Sequence, residues 1–132
     1  MLTAVHNFTG AGHVMKIFLT NEAPLVTDTV KADMVEITAG NGYTAGGEDT
    51  LNTLAEAAGT ATVTGTKVVW TASVGSIGPF RYVVLYNDTA TVPLDALVAW
   101  WDYGSALTLL AGETFTTKFN NGDPTGNILT LT

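Results

Sequence analysis

The chain of 132 residues has no cysteine, which removes disulfide staples, thiol nucleophiles and zinc–thiolate sites together. Positive charge is scarce too. Lys16, Lys31, Lys67, Arg81 and Lys118 stand against 12 carboxylates, for a net charge of −7. Nucleic-acid binding needs clustered Lys and Arg to displace phosphate counterions, and cations this scattered do not make that surface. No apolar run approaches the ~20 residues that span a bilayer. Met1–His6 lacks the basic start and long apolar stretch of a signal peptide. The expectation is a protein made in a cytoplasm that binds neither nucleic acid nor membrane.

What is present is material for strands. The length suits one domain, which buries about two thirds of its unfolded surface and so holds a core without metals. Thr and Val are abundant, and their branched Cβ atoms fit a pleated surface. The 14 glycines supply turns between short strands. Met15, Ile17 and Leu19 alternate with Val14, Lys16 and Phe18, a first strand over 14–20 that Asn21–Pro24 breaks. Val30, Met34 and Ile37 fall on one helical face, with Asp28 placed to cap it, so a short helix is expected over 28–37. Ala39–Gly47, AGNGYTAGG, is an irregular loop. Thr50–Gly59 fits a helix ending at Gly59 and a strand equally well. Thr60–Ala72 reads as one long strand or a hairpin about Gly65.

The strongest strands come next. After Pro79, the residues Phe80, Tyr82, Val84 and Tyr86 line one face while Val83 and Leu85 line the other. Only a central or doubly covered strand tolerates that. In Ala96–Tyr103, Leu97, Ala99, Trp101 and Tyr103 oppose Val98 and Trp100, again apolar on both sides. Asn87–Pro93 is read as the turn between them. Glu113–Phe119 points Phe115 and Phe119 inward, Asn120–Asn127 turns, and Ile128–Thr132 closes the chain as a strand. The sum is an all-β fold, a single-domain antiparallel β-sandwich or small barrel of seven to eight strands with at most one or two short helices. Residues 1–12 form a leader or arm able to contact a neighbour, and 13–132 form the domain.

No constellation promises chemistry. Glu22, Asp28, Glu48, Asp49, Asp88, Asp95 and Asp123 are scattered, mostly in turns, and do not pair as an acid and a base. His6 and His13, seven positions apart, would face opposite ways on a strand, which is wrong for a shared metal; exposed or hydrogen-bonded rings are expected. No nucleophile elbow accompanies the serines. In AGNGYTAGG the glycines are followed by Glu48 and Asp49, which repel phosphate, so a structural loop anchored by Tyr43 is expected. Asn120, Asn121, Asp123 and Asn127 offer oxygens with one carboxylate among them, too little charge for tight calcium binding. The reading is a non-enzymatic protein with no cofactor and no metal. Trp100 and Trp101 cannot share one core layer, so one is expected inside and the other at an interface. Interface residues are expected at Phe8, Tyr82, Leu85 and Trp100.

The strings GNGYTAGG (Gly40–Gly47), VVWTAS (Val68–Ser73), IGPFRYVVLYND (Ile77–Asp88), WWDYGS (Trp100–Ser105) and ETFTTKFNNG (Glu113–Gly122) occur in this order. In them the chain, from Val14 onward, resembles a group of small tailed-bacteriophage virion structural proteins. The leader to Gly12 lies outside that resemblance. The resemblance implies a place in the virion, either as a capsid decoration (cement) protein on the major capsid protein or as a tail or tail-fibre component. By analogy with other cement proteins it implies a homotrimer at three-fold positions. The tail-fibre alternative has Tyr43, Trp100 or Tyr103 contacting host-surface glycans.

Overall fold

Runs of branched and aromatic residues become strands almost throughout the computed structural model, which describes residues 6–9, 12–120 and 124–132. The strands are β1 (Met15–Thr20), β2 (Glu48–Asp49), β3 (Thr53–Ala57), β4 (Thr60–Thr66), β5 (Val68–Thr71), β6 (Ile77–Thr91), β7 (Leu94–Leu109), β8 (Thr114–Thr117) and β9 (Thr125–Leu131). Every ladder between them is antiparallel. The fold is all-β, as the composition implies.

One layer is a four-stranded sheet in the order β2-β1-β6-β7. The other is a long ribbon. β4 and β5 are separated by Lys67 alone, and they pair with β9 and β8 respectively. Thr66 faces Thr125 and Val68 faces Thr117, so the two ladders are not continuous across Lys67. The Lys67 N–H closes this break by donating to the Pro124 carbonyl at 2.7 Å. Thr60–Ala72 is thus neither one strand nor a hairpin about Gly65. Gly65 stays inside β4, where a Cβ would meet Phe119 and Ile128.

The main core lies between the layers. Met15, Ile17 and Leu19 of β1 and Phe80, Val83 and Leu85 of β6 meet Val68 and Trp70 of β5, with Tyr43 and Phe119 closing the ends. Phe80 was expected to share a face with Tyr82 but joins Val83 and Leu85. The ladder to β7 slips between Phe80 and Tyr82, and a bulge of this kind reverses the alternation. A smaller cluster, Phe18, Met34, Val84, Tyr86 and Leu97, fills the opposite face of the same sheet. β1 and β6 are therefore apolar on both faces because both faces are covered. Each large side chain enclosed this way contributes roughly 1.5–3 kcal/mol.

The expected helix over 28–37 is only a 3-10 turn at Lys31–Asp33. Asp33, not Asp28, holds it: its carboxylate accepts from the Thr29 and Val30 N–H groups at 2.8 and 3.1 Å. The flanking backbone is extended and bridges the sheet, Val30 to Ala96 and Glu36 to Thr20. Met34 enters the small cluster while Ile37 packs on the main one. Their spacing mimics a helical face although they serve opposite sides of a sheet.

Within Thr50–Gly59, Thr53–Ala57 is strand and no residue is helical. β3 and β4 form a hairpin pairing Ala57 with Thr60, through Ala58 and Gly59. Both turn residues have positive φ (50° and 81°), the twist a two-residue hairpin needs. Asn87–Pro93 is not a turn throughout; β6 continues to Thr91.

Candidate functional site

Of the expected interface residues, the fold encloses two. Leu85 has no exposed surface and lies in the main core. It sits on β6, which is paired on both edges and covered on both faces, so it cannot reach a neighbour. Tyr82 is 9% exposed, covered by Trp100 in an edge-on contact of 6.0 Å and by the Arg81 guanidinium at 5.3 Å from its ring. Phe8 is half-buried and packs against the main core. Trp100 stays at the surface. The leader was expected as one unit; of it, Met1–Val5, Gly10 and Ala11 lie outside the described residues.

The tandem tryptophans depart from expectation together. Neither is in the core: each is 41% exposed. Trp100 pairs across from Val84 of the small cluster and Trp101 across from Val83 of the main one, so they emerge on opposite faces. The cause is position. β7 is an edge strand, paired with β6 alone among the strands, and its middle residues are incompletely covered. Its start is covered, where the Leu97 N–H donates to the Thr29 carbonyl at 2.9 Å, and its end enters the main core through Leu109.

Further along, β7 bulges. Phe80 pairs with Leu107 and Tyr82 with Asp102, leaving Tyr103–Ala106 opposite Arg81 alone. Gly104, at φ 99°, supplies the conformation. The Asp102 carboxylate pins the bulge: it accepts two bonds from Arg81, each 2.8 Å, and one from the Gly104 N–H at 2.7 Å. The Arg81 guanidinium, followed by that amide, holds Asp102 below the usual carboxylate range.

The bulge aims Tyr103 at Phe115 of β8, with ring centroids 5.8 Å apart, while Trp101 meets Phe119 at 5.7 Å. Between β7 and the β8–β9 edge lies a cleft of about 360 Å³, with Ile17 and Val83 lining it. Thr116, Lys118, Asn120 and Asn127 add polar groups to its lining. Its size is at the lower end for small-molecule sites, and aromatic walls with a few polar groups are the usual composition.

The other expected groups are structural. Tyr43 anchors the glycine loop: its hydroxyl donates to Glu36 Oε1 at 2.7 Å and accepts from the Leu19 N–H at 3.0 Å. Glu36 also accepts from the Gly46 N–H (2.7 Å) and pairs with Lys31 (2.6 Å). Nothing in the pattern of the sequence singles out Glu36, since its partners come from separate loops. Burial pushes the Tyr43 phenol well above the ordinary tyrosine range, and likewise Tyr86, whose hydroxyl donates to the Gly46 carbonyl at 2.7 Å. His6 and His13 do not lie on one strand. Both bring Nδ1 to the buried Asn87 amide, at 3.0 and 2.7 Å. Asn121 and Asp123, two of the four oxygen donors weighed for calcium, lie outside the described residues. Among the described residues, no group of three or more His, Asp or Glu side chains gathers to hold a metal, and no helix is long and apolar enough to cross a membrane.

No family model matches the chain, and neither a curated protein nor a solved structure does.

Proposed function

We propose that this chain is a non-enzymatic bacteriophage virion structural protein, a capsid decoration protein that binds the major capsid protein and stabilises the shell from outside. The ordered strings shared with small virion proteins support this reading. The structural observation that carries it is the open edge of β7. There Trp100, Trp101 and Tyr103 lie exposed along one strand, in a subunit whose core is otherwise closed. Aromatic residues with half their surface already withdrawn from water are efficient anchors, because little rotamer freedom is left to lose on docking. A cement protein bridges neighbouring capsomers, and its binding free energy adds directly to shell stability. Assembly as a homotrimer around a three-fold axis suits such bridging.

The copy number per particle tests this. Quantitative mass spectrometry of purified virions is expected to give a ratio to the major capsid protein near unity. A few copies per particle would move the protein to the tail, and absence from the particle would end the virion reading.

A second reading rests on the cleft. Trp101 and Tyr103 line it beside Thr and Asn side chains, a composition that suits the alternating C–H and hydroxyl surfaces of a sugar. As a tail-fibre module the protein would recognise host-surface glycans there. Glycan-array binding that Trp101→Ala abolishes would favour this reading over the shell.

A further inference from the structure

We propose that copies of this chain associate through the apolar face of the sheet formed by β3, β4 and β9. The inference supplies a contact surface for the homo-oligomer named above and rests on that part of the reading, not on a place in the virion.

Two cross-strand rows define the face. Leu54 stands opposite Val63, and Val63 opposite Leu129; the next row joins Glu56, Ala61 and Leu131. Residues two apart on a strand share a face, so Leu54, Ala61, Val63, Leu129 and Leu131 lie together. The other face carries Thr53, Ala55 and Ala57 of β3 and Thr60, Thr62 and Thr64 of β4. There the Thr53 and Thr64 hydroxyls bond at 2.7 Å. This is the alternation of a sheet with one wet face and one packed face.

Little of the subunit covers the apolar side. Ile128 packs on the main core, but among the strands β3, β4 and β9 pack chiefly on one another. Val63 at the centre is 4% exposed, whereas Leu54, Leu129 and Leu131 around it are 43, 39 and 61% exposed. β3 and β9 are both edges of their sheet. Exposed edges are ordinarily guarded by charge or proline, yet these three strands hold no Lys, Arg or Pro. A small sheet gains stability by burying its apolar face.

Charge identifies the occupant. Of the 12 carboxylates in a chain of net charge −7, Glu56 alone falls in these strands. Its carboxylate is turned to the hairpin end, accepting from the Gly59 N–H at 3.0 Å. Like-charged copies repel where their acidic surfaces meet, and this sheet lets them meet with few carboxylates opposed. An apolar face is also complementary to itself, as a contact between identical copies requires. A basic partner would be drawn to the carboxylates elsewhere, and an acidic one finds no cation in this sheet.

Sedimentation velocity of the native chain at about 100 μM, above the micromolar constants of weak interfaces, is expected to give a multiple of 13.8 kDa. Leu54→Glu and Leu129→Glu should each lower the association constant on the order of a hundredfold, by trapping an unpaired carboxylate. Their near-ultraviolet circular dichroism should be unchanged. Thr62→Glu, on the opposite face, should alter association by less than about threefold. Since the chain has no cysteine, Leu129→Cys gives a check without added charge: a short bismaleimide should join copies, and should not with Thr62→Cys. A monomeric native chain would overturn the inference and the homo-oligomer together, leaving virion membership to the copy number. An oligomer that both Glu variants leave intact and Leu129→Cys does not cross-link would overturn the surface alone. A monomer whose Leu129→Glu variant loses capsid binding would give the face to another protein and overturn the inference as well.

Discussion

Gly47 shows how one missing atom fixes a loop. It sits at φ 76°, and a Cβ there would collide with the Ile17 carbonyl of β1. Gly47→Ala is expected to destabilise the protein by about 3 kcal/mol in urea denaturation, through backbone strain and displacement of β1. An unchanged midpoint would mean the loop lifts off at no cost. The phenols give a second prediction. Tyr43 and Tyr86 are kept neutral in the folded protein, chiefly by burial. An acid whose folded ionisation is pushed up contributes stability below its unfolded value and loses it as pH rises past. Stability should thus decline above about pH 10, the unfolded tyrosine value. Ultraviolet titration should show both phenols ionising only with unfolding, and early ionisation of either would contradict its enclosure. The anchoring role of Tyr43 was legible in the sequence, because an aromatic among four glycines has little else to do. Glu36 and Asn87 were not, since a polar residue reveals its burial only through partners distant in sequence.

Among the elements, the β3–β4 hairpin carries a correctable local conflict. Ala58 occupies a left-handed turn position at φ 50° ahead of Gly59, where asparagine is favoured. Ala58→Asn should raise stability by roughly 0.5–1 kcal/mol without altering the register. Thermal denaturation checks the gain, and a loss would show that Ala58 is held by contacts beyond its turn. β6 was legible as doubly covered because its apolar residues fill consecutive positions. The bulge near Arg81 was not legible, because Phe80, Tyr82 and Val84 keep perfect alternation in the sequence while the ladder slips beneath them. The segment 28–37 misleads for a related reason: positions spaced i, i+4 and i+7 also suit an extended chain that serves two faces in turn.

For the molecule as a whole, composition alone pointed to the all-β class: threonine, valine and glycine with little charge favour short strands and turns over helices. The surface was less legible, because no local pattern says which strand will stand at an edge. That position decides the fate of the tandem tryptophans. Trp70, 1% exposed between the layers, and Trp100, 41% exposed at the edge, should answer truncation differently. Trp70→Ala is expected to cost about 3–5 kcal/mol. Trp100→Ala should cost under about 2 kcal/mol, since much of its area is already wet. If β7 docks on the shell, Trp100→Ala should also weaken binding to capsids while the subunit stays folded. Unimpaired binding would remove Trp100 from the proposed interface.

The ribbon that forms the second layer joins chain segments far apart in time as well as in sequence. β4 and β5 are synthesised before β6 and β7, yet their partners β8 and β9 follow both. The first sheet's β1–β6–β7 ladders need no residue beyond Leu109, so they can form before Thr125–Leu131 joins the ribbon. Until that strand pairs with β4, the inner faces of Ile17, Val83 and Trp70 have an unfinished roof. A folding intermediate held at that stage would expose them to chaperones and to other chains.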